Sequence, residues 1–149
     1  MDKFDRFIIR TLQRIWQPLA RISLFIVFFW FGFLKIIGLS PAELLVDKLR
    51  AEVIPFIPFE EFVLIFGFYE MTIGLSFLIP HWERLAIALL IPHMISTFMP
   101  LIFLPDLTWT AFLIPTIEGQ YIIKNLIIVS LALVIGANLK PFGKNKKLH

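Results

Sequence analysis

Four long apolar stretches separated by short polar breaks set the pattern of this chain. They run over residues 22–39, 62–79, 85–104 and 117–137. Each approaches the roughly 20 residues that cross a hydrocarbon core at 1.5 Å rise. The last, within PTIEGQYIIKNLIIVSLALVIGA, carries Glu118, Gln120, Lys124 and Asn125 in its first turns, so it reads as an apolar anchor with a polar head. Two further stretches have the 3.6-residue rhythm of amphipathic helices. In residues 3–17, Phe4, Phe7, Ile8, Leu12, Ile15 and Trp16 alternate with Arg6, Arg10, Gln13, Arg14 and Gln17, which predicts a basic helix lying on the membrane surface. Pro18 then marks a bend into the first span. This stretch lacks the apolar core and cleavage site of a signal peptide. In residues 41–53, Ser40 as cap, Pro41 at the first position and Glu43 closing a capping box predict a second helix, too short to span. Ala42, Leu45, Val46, Leu49 and Val53 form its apolar stripe, and Pro55 and Pro58 follow as a stiff turn.

The remaining connections are brief. Pro80-His81-Trp82-Glu83-Arg84 is a tight turn with an interfacial tryptophan, and residues 105–115 form a loop whose Trp109, Phe112 and Leu113 suit the interface or a lid. Residues 138–149 are a basic tail. The expected fold is therefore all-α: a single-domain integral membrane four-helix bundle, with an N-terminal amphipathic surface helix and a short outer amphipathic helix between spans 1 and 2.

Composition sharpens this picture in two ways. Only 17% of the 149 residues are charged and 58% are hydrophobic, which leaves no length for a soluble catalytic domain beside the spans. Cysteine is absent, which excludes thiol catalysis, cysteine-ligated zinc and iron–sulfur chemistry on this chain. The net charge of +3 does not indicate nucleic acid, because the basic residues sit at the ends of apolar spans. Their distribution sets orientation. Lys3, Arg6, Arg10, Arg14, Arg21, Arg84 and the four lysines of the tail fall on one side, whereas the other has only Lys48 and Arg50 against seven acids. The positive-inside rule puts both termini in the cytoplasm.

Candidate chemistry lies in ionisable groups inside the spans. Glu70 is roughly 12 Å into the second span at 1.5 Å per residue. Gly67, Glu70 and Gly74 share one helix face, so close packing through the glycines carries the carboxylate into the bundle. His93 and Thr97 lie one turn apart in a third span interrupted by Pro92 and Pro100, which free the carbonyls of Ala88 and Ser96. Lys35 near the end of the first span either snorkels to the interface or faces the bundle and pairs with an acid. An unpaired charge at the bilayer centre costs at least ~2.5–3.5 kcal/mol, so Glu70 is expected to pair with Lys124 or with Lys35. The candidate cluster is thus Lys35, Glu70, His93, Thr97, Glu118, Gln120, Lys124 and Asn125. Walled by Phe and Trp, it could hold a carbonyl-bearing apolar ligand such as a quinone, or it could hold the bundle together. No phosphate loop, HExxH, nucleophile elbow or metal-ligand spacing is present.

Three segments carry a family resemblance: FFWFGFLKIIGLSPAELL, GFYEMTIGLSFLI with its G-x-x-E-x-x-x-G pattern at Gly67, Glu70 and Gly74, and PTIEGQYIIKNLIIVSLALVIGA with its GQYIIKN opening. Together they resemble the DoxX-like family of small four-helix bacterial inner-membrane proteins, in the branch near the reactive-chlorine-resistance membrane proteins. The resemblance covers residues 22–137. It implies a four-helix bundle with cytoplasmic termini. Some relatives are membrane subunits of thiosulfate:quinone oxidoreductase, and others are linked to oxidative or thiol stress. The paired cysteines of the related vitamin K-type quinone reductases are missing here, so that chemistry does not carry over. The functional expectation is a membrane subunit of a redox system that binds a quinone-like ligand in the outer half of the bundle. In that role Lys124 or Lys35 donates to a ligand oxygen, Glu70 holds the lysine or relays a proton, and His93 is a second proton donor. No cofactor resides on the chain, electrons come from a redox partner protein, and a homo-oligomer is compatible. The alternatives are a non-catalytic anchor for another protein, or a proton or transport pathway through Glu70 and His93.

Overall fold

The computed structural model describes residues 2–141, so the basic tail lies outside the described residues from position 142 onward. Its helices are α1 (Asp2–Ile36), α2 (Glu43–Val53), α3 (Phe59–Leu78), α4 (Glu83–Phe98), α5 (Pro100–Phe103), α6 (Pro105–Thr108), α7 (Ile117–Lys124) and α8 (Leu126–Ala137). A two-stranded antiparallel hairpin, β1 (Trp109–Ala111) and β2 (Ile114–Pro115), sits between α6 and α7. Four helical runs are long and apolar enough to cross a membrane: Lys3–Ile36, Phe59–Leu78, Glu83–Phe103 and Ile117–Ala137. This is the make-up of a multi-pass membrane protein.

All four runs contribute to one core. Ala20, Leu24 and Phe28 of α1 meet Ile73 and Phe77 of α3, Ala86, Leu90 and Met94 of α4, and Ala132 and Ile135 of α8. The most intimate pair is α1 with α3, and glycine is the reason. A Cβ on Gly32 would lie 2.5 Å from the Gly67 carbonyl oxygen, and one on Gly67 would lie 2.8 Å from that of Gly32. One on Gly74 would meet the Phe29 nitrogen at 2.8 Å. The two backbones therefore touch, as small residues allow in membrane helices.

Helix ends are fixed by local chemistry. α1 stops in a Schellman motif: Gly38 takes φ +67°, its N–H reaches the Lys35 carbonyl at 3.3 Å, and the Leu39 N–H reaches that of Leu34 at 2.9 Å. The first span thus ends short of Leu39. Thr116 caps α7, accepting from the Gly119 N–H at 3.1 Å while donating to the Leu107 carbonyl at 2.6 Å. Gly119 rests directly on the Thr108 carbonyl, where no side chain fits.

Several expectations require correction. Residues 3–17 and the first span are not separate elements; α1 runs unbroken through Pro18. Proline costs the Arg14 carbonyl its helical donor, but its φ suits a helix, and the chain just beyond it is locked by Ala20 and Leu24 in the core. The capping box at Ser40 does not form. α2 starts at Glu43 behind Ala42 with no side-chain cap, and the Ser40 hydroxyl instead accepts from the Ala42 N–H at 3.3 Å in a tight turn. The third span is divided at Met99, whose N–H bonds to Ile95 and Ser96 carbonyls at 3.2 and 3.3 Å. The Ser96 carbonyl orphaned by Pro100 is thereby satisfied, whereas Pro92 sits inside α4 without ending it. The fourth span is divided at Asn125, and the loop over residues 105–115 holds α6 and the hairpin.

Candidate functional site

Lys35, in the last turn of α1, lies beside Gly67 of α3, and Glu70 of α3 lies beside Gly32 of α1, so the two side chains flank the glycine contact from opposite sides. The close backbone approach makes the ion pair short: Lys35 Nζ donates to Glu70 Oε2 at 2.6 Å. His93, from α4, reaches the other carboxylate oxygen, with Nε2 2.9 Å from Oε1. Thr97 lies one turn on; its hydroxyl is 3.3 Å from His93 Nδ1 and 2.9 Å from the His93 carbonyl. Three helices thus converge on a single carboxylate. Lys35, Glu70 and His93 are all buried, each at 5–6% exposure.

The chemistry of the partners orders the protons. An ionised carboxylate only accepts, so His93 presents its Nε2–H to Oε1, while the single proton of the Thr97 hydroxyl goes to the His93 carbonyl, the nearer of its two neighbours. Aromatic rings wall the imidazole. Phe66 stacks on it at 5.1 Å and 7°, and Phe28 meets it edge-on at 5.2 Å and 87°. Phe62 continues the stack on Phe66 at 5.5 Å. The Lys35 ammonium sits 5.5 Å from the centre of the Phe66 ring. Tyr69 is pinned by its hydroxyl donating to the Leu89 carbonyl at 2.6 Å. An ammonium has three N–H groups, and Glu70 is the one hydrogen-bonding acceptor that Lys35 has among the described residues.

Half of the expected cluster lies elsewhere. Gly119 and Ile122 are the buried positions of α7, which turns Glu118, Gln120 and Lys124 outward, where all three are exposed. Lys124 therefore does not pair with Glu70; its Nζ lies 5.2 Å from the ring of its neighbour Tyr121. Asn125 is half-buried at the joint between α7 and α8 and donates to the Tyr121 carbonyl at 3.2 Å.

A second polar lock sits at the opposite end of the bundle and was not anticipated. Arg21 donates to Glu83 Oε1 at 2.7 Å and to the carbonyls of Phe77 and Ile79 at 2.6 and 3.0 Å. It caps the C-terminus of α3 and ties it to the start of α4. The available signal was positional: Arg21 precedes the first span and Glu83 opens the third, and these two spans start from the same side, where opposite charges can meet.

Among the described residues, no group of three or more His, Asp or Glu side chains gathers as a metal-ligand set. Comparison with protein-family models, with curated proteins and with solved structures finds no match to this chain.

Proposed function

We propose that this chain is a DoxX-like protein of the bacterial inner membrane with both termini in the cytoplasm. On this reading it serves as a membrane subunit of a redox or oxidative-stress system and binds a quinone-like apolar ligand beside the Lys35–Glu70–His93 triad. The observation that supports it most is Lys35 itself: a buried ammonium with one hydrogen-bonding acceptor and donors to spare, set against an aromatic wall. Buried ionisable groups in a membrane bundle are costly and mark functional sites by default. Lys35 donates to a ligand carbonyl oxygen, Glu70 holds the ammonium in place, and His93 supplies a second proton through the same carboxylate. Electrons come from a partner protein. The test is mass spectrometry of lipid-soluble molecules extracted from gently purified protein. Wild type should retain a quinone that Lys35→Met and Glu70→Gln lose with their folds intact.

A second reading rests on a different observation. Every fully buried side-chain nitrogen and oxygen among the described residues has a hydrogen-bond partner. A satisfied cluster can serve to hold three helices in register and nothing more, in a bundle that anchors another protein. Wild-type protein that retains no ligand, with both variants merely unfolding at lower temperature, would establish this reading instead.

A further inference from the structure

Two of the membrane-length runs are interrupted, the third at Met99 and the fourth at Asn125, and the two breaks bracket residues 100–124. Both breaks are built alike. At the first, Pro100 has no N–H to offer the Ser96 carbonyl, which takes the Met99 N–H in a tighter turn at 3.3 Å. At the second, the Asn125 N–H bonds three residues back to the Ile122 carbonyl at 3.0 Å. Its side-chain amide then replaces it on the Tyr121 carbonyl, at 3.2 Å. A tightened turn inside a long helix has poorer hydrogen-bond geometry than its neighbours, and such turns are where long helices hinge.

Between the breaks the chain is tied into one body. The Trp109 indole N–H donates to the Leu101 carbonyl at 3.0 Å, the Thr108 hydroxyl to that of Leu104 at 3.0 Å, and the Thr116 N–H to that of Thr108 at 3.0 Å. With the Thr116 cap, these bonds lock α5, α6, the hairpin and α7 together. Among the described residues, no side chain of residues 100–124 hydrogen-bonds outside this unit. None belongs to the hydrophobic cluster that joins the four runs. The unit instead rests on α2 and on α4, whose last two turns carry His93 and Thr97. There the Ser96 and Thr97 hydroxyls both donate to the His93 carbonyl, at 2.7 and 2.9 Å, which ties the Met99 break to the triad histidine. Lys35, Glu70 and His93 are buried, so a ligand reaching the spare Lys35 donors needs a path. The outer surface of the unit is apolar, with Ile102, Ile117 and Tyr121 at 66–77% exposure, and α5 and α7 belong to the spans. A path opened beneath them leads to lipid, the phase in which an apolar ligand dissolves.

We infer that residues 100–124 form a rigid cap that swings on Met99 and Asn125 and opens the triad to the bilayer. Its role as a gate rests on the ligand reading; its motion does not. The absence of cysteine makes the test clean. Nitroxide pairs are placed on the full chain in lipid nanodiscs without quinone. Ile65→Cys with Ile117→Cys, across the breaks, should give two distances. Ile102→Cys with Ile117→Cys, inside the cap, should give one, which also shows the cap folded. Adding Pro100→Ala and Asn125→Leu restores the main-chain donor for the Ser96 carbonyl and removes the side-chain substitute at Tyr121. The second distance should then fall several-fold in population. Stopped-flow tryptophan quenching by a short-chain benzoquinone should be several-fold slower in that variant, at equal final quenching. A single distance across the breaks, unmoved by the hinge substitutions, would overturn the inference even where the quinone binds. Two distances inside the cap would overturn it as well. Two distances across the breaks in a protein that binds no quinone would leave the moving cap standing and remove the ligand reading alone.

Discussion

At the scale of single residues, the central relation is among Lys35, Glu70 and His93. Removing one partner of a buried ion pair leaves the other charge uncompensated, at a cost of about 3–5 kcal/mol, whereas replacing both by apolar groups of similar volume is often neutral. Lys35→Met should therefore lower the thermal stability of the detergent-solubilised protein markedly. The double variant Lys35→Met with Glu70→Met should recover most of the loss. If the single and double variants melted together, the pair would have no energetic coupling. Lys124→Met is the contrasting case, because Lys124 is exposed with its Nζ over the Tyr121 ring. Its effect should stay within about 0.5 kcal/mol, as for surface substitutions elsewhere. The sequence could name Glu70 and offer two lysines for it, but it could not choose between them. Choosing needed the rotation of α7 about its own axis, which is set by Gly119 seated on Thr108, two residues that are not neighbours in the chain.

At the scale of elements, the glycines of α1 and α3 govern the site from a distance. Gly67 on the Glu70 face was legible from its spacing, but its partner Gly32 was not singled out, because one helix pattern does not say which face of a neighbour it meets. Gly67→Leu would force the two backbones apart, and overpacking of this kind costs about 1–3 kcal/mol. The Lys35–Glu70 distance should lengthen with it, which a nitroxide pair on the two helices would register. A variant with wild-type stability and spacing would show that the contact is dispensable. Thr116→Val tests the other end: loss of this cap should cost about 1 kcal/mol and loosen the hairpin, read as faster amide exchange in residues 105–119. The span positions were readable because 20 apolar residues in a row permit little else. The helix start at Ser40 and the bend at Pro18 misled for a shared reason. Both rest on local residue preference, and packing of the neighbouring segments decides such positions.

At the scale of the whole molecule, the chain is an antiparallel arrangement of four membrane-length helices closed by a polar lock at each end, Arg21–Glu83 at one and Lys35–Glu70–His93 toward the other. On the proposed orientation the Arg21 end is cytoplasmic, and a reporter fused after residue 141 should then be active in its cytoplasm-dependent form only. The opposite result would invert the orientation and put the triad in the inner half. The central claim is that Lys35 and its partners form a ligand site, and it is tested most directly by titrating a quinone into the purified protein while following tryptophan fluorescence. Saturable quenching that Lys35→Met removes and Lys124→Met leaves unchanged is the expected result. Quenching identical in all three proteins, or absent from folded wild type, would contradict it.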